Sequence, residues 1–317
     1  MRAAVIAGPR QSEIEHLTIP EPGPGDVRLR LEGCGVCGSN LPLWEGRSWF
    51  QYPSEPGSPG HEGWGVVDAI GAGVTTVRPG DRVAALSYRA YAEYDIAAAT
   101  AVVPLPENLA GKFFPGEPLG CAVNIFRRSD IQAGQTVVII GIGFLGALLT
   151  RLATRAGARV IAISRRPFAL ELARELGAAI TMPLDDHDKI VSQVQQVTGG
   201  EGAERVIEAV GSQWPLDLAA DLTRVRGRLV IAGYHQDGPR QVNMQLWNWR
   251  GIDVINAHER DPDIYVEGIR RAVEAVSSGL LNPSRLYTHT FHLDQLDRAF
   301  EIMRQRPDGF LKALVLT

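Results

Sequence analysis

The chain has 317 residues, 45% of them hydrophobic and 21% charged, which is ordinary for a globular protein and long enough for two hydrophobic cores. Its formal net charge is -4, with Lys and Arg scattered instead of gathered into a basic block, so neither nucleic acid nor a membrane surface is expected as a partner. The 3 cysteines, Cys34, Cys37 and Cys121, are too few and of the wrong parity for a disulfide framework, which leaves metal binding or simple burial to account for them.

Met1 leads directly into Arg2-Ala3-Ala4-Val5-Ile6, which reads as a first strand and not as the apolar core of a secretory leader. A cytoplasmic protein is the expectation. From Met1 to about Val103 the pattern is short alternating runs, such as Asp26 to Leu31 and Gly65 to Ile70, punctuated by turns at Pro20 to Gly25 and Pro79-Gly80-Asp81. That texture is typical of a small β-barrel or sandwich. After Ile131 it changes. Thr136 to Ile140 reads as a buried strand, followed by a helix from about Gly143 to Ala156, a strand Arg159 to Ile163, a helix Pro167 to Leu176, a strand Val206 to Glu208, a helix near Pro215 to Thr223 and a strand Arg228 to Ala232. Strands alternating with helices predict an α/β unit with a parallel, doubly wound sheet. The longest apolar run, Thr136 to Leu149, is interrupted by glycines and falls short of a membrane span. From about Asp261 onward two helical patterns, Tyr265 to Ser278 and Leu293 to Arg304, lead to the strand-like Leu311 to Leu316.

Gly141-Ile142-Gly143-Phe144-Leu145-Gly146 follows the first of these buried strands and opens a helix, the context in which a G-x-G-x-x-G turn binds a dinucleotide. Its glycines allow a tight turn and a close approach of backbone to pyrophosphate, whose charge rests on the helix N-terminus. The next strand should end in an acidic residue if the coenzyme carries a free ribose hydroxyl. Here Ser164 stands at that position, followed by Arg165 and Arg166. With no carboxylate to repel a 2′-phosphate and two guanidiniums to bind it, NADP is expected over NAD, with NAD also possible.

In the first part of the chain, Cys37, His61 and Glu62 sit at glycine-flanked, loop-like positions, in Gly33-Cys34-Gly35-Val36-Cys37-Gly38-Ser39-Asn40 and Gly60-His61-Glu62-Gly63. A thiolate, an imidazole and a carboxylate form a normal catalytic zinc set with one position left open. Together with Pro79-Gly80-Asp81-Arg82-Val83, Glu117-Pro118-Leu119 and the glycine-rich turn, these segments resemble, in order and over essentially the whole chain, the zinc-containing medium-chain alcohol dehydrogenases. The sorbitol and other polyol dehydrogenases are the nearest in motif. The resemblance implies a GroES-like β-barrel catalytic domain over residues 1–121, a Rossmann coenzyme domain over 122–260 and a segment 261–317 returning to the first. It makes Cys37 and His61 metal ligands and Glu117 the third, with Glu62 an adjacent carboxylate that enters and leaves the shell. Ser39 becomes the hydroxyl that takes the alcohol proton, and Cys34 a bystander.

Glu117 precedes a helix expected to begin near Ala122, and Cys121 would then lie beside the coenzyme. A set of Cys37, His61 and Cys121, with Glu117 as a nearby base, stays open as the alternative, since a thiol is the softer donor. The family's usual Cys-Gly-Ser-Asp is Cys37-Gly38-Ser39-Asn40 here, which makes one support of the ligand histidine neutral. Pro42 replaces a His found at that position in many relatives. The stretch between Val83 and Tyr91 is too short for a structural zinc lobe, so a single catalytic zinc is implied.

The chemistry implied is hydride transfer between NADP(H) and a secondary alcohol or ketone, with a polyol, sugar or cyclitol as the small-molecule substrate. His258, Glu259 and Arg260 are candidate contacts for its hydroxyls, and Trp44 and Trp49 candidate walls. Trp247 and Trp249 precede a segment where the family builds dimers, so a homodimer or homotetramer is implied. A zinc-free quinone reductase or a non-catalytic nucleotide-binding protein of the same fold would not need the ligand set.

Overall fold

The computed structural model describes residues 1–317 and divides into two compact units, Met1–Cys121 with Arg260–Thr317, and Ala122–Glu259. In the first unit the strand Asp26–Gly35 is the organising element. Val27, Leu29 and Leu31 alternate into the core at 0%, 0% and 3% exposure, the two-residue period of a strand buried on one face. It pairs antiparallel with Gly63–Ile70 along its length, with Tyr94–Ala98 along its first half, and through Gly33, Cys34 and Gly35 with the C-terminal strand Lys312–Leu316. The last strand also pairs in parallel with Tyr287–His292, which sequence patterning does not pick out. The 7-stranded sheet closes on Arg82–Ala85 and Val102–Pro104, and Arg2–Gly8 with Gln11–His16 forms a separate 2-stranded hairpin.

The core of this unit contains Trp44, Tyr91 and Phe300. Trp44 is therefore not a wall of a substrate cleft, as its place after the cysteine loop suggests. It is 2% exposed, its ring lies 5.6 Å from that of Phe300, and its indole N–H donates to Asp297 Oδ1 at 2.8 Å, which satisfies the polar end of a buried aromatic. Trp49 is 60% exposed and touches Phe50.

The second unit is a 6-stranded sheet in the order Ile180–Pro183, Arg159–Ser164, Thr136–Ile140, Ala203–Glu208, Thr223–Ile231, Asp253–Asn256, every neighbouring pair parallel. Chain order reverses on either side of Thr136–Ile140, the switch point where such sheets bind ligands beyond their strand C-termini. Helices Phe144–Arg155, Pro167–Glu175, His187–Val197 and Gln213–Leu222 connect the strands. The third of these has a clear physical cause. Asp186 caps it by accepting from Lys189 N, and Ile190, Val191, Val194 and Val197 recur at helical spacing onto the core.

The helix Gly116–Ser129 starts earlier than the expected boundary near Ala122. Pro118 lies in its first turn, where a missing N–H removes no intrahelical bond. Glu117 is thus a helical residue with Cys121 one turn ahead on the same face, not a residue ahead of the helix. No helix of the chain is long and apolar enough to cross a membrane.

Candidate functional site

Strand register assembles the metal-ligand candidates. Cys34 pairs with Gly63, which carries the chain beyond Gly35 alongside the His61-Glu62 segment that precedes the neighbouring strand, and Gly35 N donates to Glu62 O at 3.1 Å. A Cβ on Gly35 would lie 1.8 Å from Glu62 Oε2, so only glycine lets this strand pass the carboxylate. The outcome is a group in which the donor atoms of Cys37, His61 and Glu62 all lie within 4.8 Å of one another.

Each donor is oriented by a neighbour. His61 Nδ1 lies 2.9 Å from Pro59 O; with the proton there, the Nε2 lone pair is left for a metal, the usual arrangement of a ligating imidazole. Asn40 Nδ2 donates to the same carbonyl at 3.2 Å and lies 3.4 Å from His61 Nδ1, while its Oδ1 accepts from Tyr91 Oη at 2.8 Å. The neutral residue foreseen beside the histidine therefore acts mainly through Pro59. Ser39 Oγ donates to Cys37 Sγ at 3.2 Å, which places the predicted proton acceptor directly against a candidate ligand.

Glu62 is completely buried, and its charge is met by a residue absent from the sequence-level candidates. Lys312 Nζ donates to Glu62 Oε1 at 2.6 Å and to Val36 O at 3.0 Å, and it lies 2.5 Å from Oε2. A buried carboxylate requires such a partner.

Glu117 lies outside the compact trio. Its Oε1 accepts from Tyr265 Oη at 2.6 Å and from Cys121 Sγ at 3.3 Å, and Tyr265 Oη is 3.1 Å from that sulfur. The structure thus groups Glu62, not Glu117, with Cys37 and His61. Burial, then the charge of Glu117, push the Cys121 thiol well above its usual range, which keeps it a thiol donor toward Glu117 in the metal-free chain.

The electrostatics of the site favour a cation. Burial works to lower the His61 pKa, yet the charge of Cys37 and a hydrogen bond to it, followed by the charges of Glu117 and Glu62, override burial and push it up to about 10. A sulfur, an imidazole and two carboxyl groups gathered here, with Lys312 the only buried lysine or arginine side chain, suit a divalent ion, and the mix of sulfur, nitrogen and oxygen donors suits zinc.

In the second unit the glycine-rich turn has the backbone geometry a dinucleotide cradle requires. Gly141 has φ 97, and a Cβ on Gly146 would lie 2.0 Å from Gly141 O, so the helix can approach the strand this closely only at glycine. At Gly143 a Cβ would meet nothing within 4 Å, which leaves backbone open to a phosphate at the N-terminus of helix Phe144–Arg155. Phe144 is buried in that first turn and Leu145 half-buried. Ser164 ends its strand with its Oγ accepting from Arg166 N at 3.4 Å, the Arg166 guanidinium donates to Ile142 O at 3.2 Å, and Arg165 is exposed.

The same unit holds a polar network that local patterning does not reveal. Glu208, fully buried at the end of its strand, accepts from Val210 N and Gly211 N at 2.7 and 2.8 Å and meets His235 Nε2 at 3.0 Å. Arg240 Nε donates to His235 Nδ1 at 2.8 Å. His258, a candidate substrate contact, has its Nε2 3.2 Å from Gly233 O and its ring 5.4 Å from that of Tyr234. Glu259 is the last residue of this unit and Arg260 the first of the returning segment.

Comparison with known proteins agrees with these two constellations. Residues 23–107 match the alcohol dehydrogenase GroES-like domain family, and residues 145–274 the zinc-binding dehydrogenase family. An alcohol dehydrogenase from Moraxella sp. (strain TAE123) is 33% identical over 74% of this chain and 77% of its own length. The sorbitol dehydrogenase of Gallus gallus is 28% identical over 96% of this chain and 93% of its own. A structure from Sinorhizobium meliloti 1021, provisionally assigned as a zinc-binding dehydrogenase and bound to NADP, superposes with a TM-score of 0.83 at 25% identity over 100% of this chain and 99% of that one. The chain belongs to the zinc-type medium-chain dehydrogenase superfamily, as an α/β oxidoreductase with a GroES-like domain and a Rossmann-like parallel sheet.

Proposed function

We propose that this chain is a zinc-dependent, NADP-preferring dehydrogenase of secondary alcohols, acting on a polyol, sugar or cyclitol. The observation that carries the reading is the Cys37, His61 and Glu62 group within 4.8 Å, which a zinc-free reductase or a non-catalytic relative does not need. Cys37 Sγ and His61 Nε2 would hold the ion, with Glu62 as the nearest carboxylate. When bound, zinc supplies Lewis acidity that lowers the pKa of a substrate hydroxyl, and the nicotinamide supplies the hydride acceptor. Ser39, against Cys37 and partly exposed, would relay the proton that leaves that hydroxyl, accepting it as its own hydroxyl proton passes to solvent. Glu117 adds fixed negative charge whose effect reaches His61. The polyol and alcohol activities of the relatives support the substrate class. The test is a metal assay of purified protein together with a coenzyme-linked activity panel of polyols and simple secondary alcohols. About one zinc per chain with polyol-dependent reduction of NADP is the expected result, and a metal-free active protein contradicts the reading.

Coenzyme choice follows from Ser164 and the arginines after it. NADP is expected to be used at least about tenfold more efficiently than NAD, a difference of roughly 1.4 kcal/mol. Since Arg166 is already engaged with Ile142 O, exposed Arg165 is the freer arm to grip a 2′-phosphate, so Arg165→Ala should lose most of the preference while leaving NAD kinetics unchanged. Equal use of both coenzymes by the unaltered protein would show that the arginines do not read the phosphate.

A further inference from the structure

Within the first unit, the start of one helix meets another at glycines. A Cβ on Gly120 would lie 2.8 Å from Ile269 N and 3.0 Å from Gly268 C, and one on Gly116 would lie 3.0 Å from Ile269 Cγ2. Residues one turn apart on helix Gly116–Ser129 thus let helix Pro262–Ser277 approach at backbone distance. That approach places Tyr265, in the first turn of the second helix, over Glu117 in the first turn of the other. Its hydroxyl donates to Glu117 Oε1 at 2.6 Å, the length of a charge-assisted bond, and Cys121 Sγ donates to the same oxygen at 3.3 Å. Glu117 is 5% exposed, so few water molecules compete for it. Burial, then the charge of Glu117, hold the Tyr265 phenol far above its usual range, which keeps it a donor.

The site therefore has two carboxylates, each restrained by a residue of the returning segment, Glu62 by Lys312 and Glu117 by Tyr265. Only Glu62 falls in the compact donor group. A carboxylate oxygen that already accepts two hydrogen bonds has given up much of its donor capacity, and to turn toward a metal it must break the stronger of them. Resting on the metal reading above, we propose that Tyr265 is a positioning residue: its hydroxyl holds Glu117 out of the metal shell as a fixed, unligated acceptor and leaves the open coordination position to substrate. Without the hydroxyl, Glu117 swings into that position and competes with the alcohol.

The experiment uses cobalt(II) in place of zinc in the full chain, since its visible spectrum reports coordination number and donor set. Tyr265→Phe removes one oxygen from a half-buried side chain and keeps the ring. The expected result is a changed ligand-field spectrum and cobalt held about tenfold more tightly against a competing chelator, the size of effect that groups bonded to ligands produce. In a Glu117→Gln background, adding Tyr265→Phe should leave both readouts where Glu117→Gln alone puts them. A Tyr265→Phe spectrum and affinity equal to the unaltered protein's overturn the proposal, as does an effect of Tyr265→Phe that persists in the Glu117→Gln background. If the unaltered protein takes up no cobalt, the metal reading itself falls and this inference with it, an outcome distinct from metal uptake that is indifferent to Tyr265.

Discussion

Cys37→Ala is expected to bind no stoichiometric zinc and to lose polyol-dependent turnover by at least about a hundredfold, the lower bound for removing a group that stabilises developing charge, while NADPH binding is unchanged. Cys37 supplies the only sulfur of the compact donor group. Without it an imidazole and a carboxylate remain, and that carboxylate is already shared with Lys312. The residual pair is too few ligands to hold zinc against water. The coenzyme fingerprint, Gly141 to Gly146, belongs to the other compact unit, so its phosphate-facing backbone does not depend on this side chain. Metal analysis, steady-state kinetics and a fluorescence titration with NADPH check the three parts separately. Undiminished turnover in the metal-free variant would remove zinc from the reaction, and a joint loss of metal and coenzyme binding would mean the substitution had unfolded the protein.

What the sequence made legible was local. The glycine-rich turn could be read because strand, turn and helix follow one another within Thr136 to Arg155, and each glycine has a reason in the structure. The Cys37 and His61-Glu62 segments could be found because their glycine flanks mark loops. The helix boundary near Glu117 was missed because Pro118 looks like a barrier, whereas a proline in the first turn is compatible with a helix. The later expected start leaves both Glu117 and Cys121 outside the helix, whereas the structure sets them one turn apart on one helical face. Trp44 was misplaced for a related reason: an aromatic after a ligand loop looks functional, and only the packing of Phe300 and the acceptor at Asp297 show it to be core. The restraints on the two carboxylates were invisible, since Tyr265 and Lys312 lie 148 and 250 residues from their partners in the chain. Nothing local distinguishes a buried lysine in Leu311-Lys312-Ala313-Leu314 from one on the solvent face of a strand.

Lys312→Met is expected to be the most destabilising single change at the site, by about 3–5 kcal/mol in metal-free protein, the range for leaving one member of a buried ion pair without its partner. Lys312 is 6% exposed and Glu62 fully buried, so water cannot replace the lost ammonium. Burial works to lower the lysine pKa, but the charge of Glu62, followed by that of Cys37, overrides it and raises the value, so the ammonium is retained at neutral pH. The loss therefore belongs mainly to a stranded carboxylate and not to a few methylenes. Two comparisons separate these causes. Glu62→Leu combined with Lys312→Met exchanges the pair for apolar groups and should recover most of the deficit, because such replacements are commonly neutral or better. Added zinc should also narrow the deficit of Lys312→Met alone, since the freed carboxylate gains a cationic partner and ligand binding to the folded state stabilises it by mass action. Urea unfolding with and without zinc measures both. A deficit that survives in the double variant would show that Lys312 acts through packing of the C-terminal strand and not through Glu62.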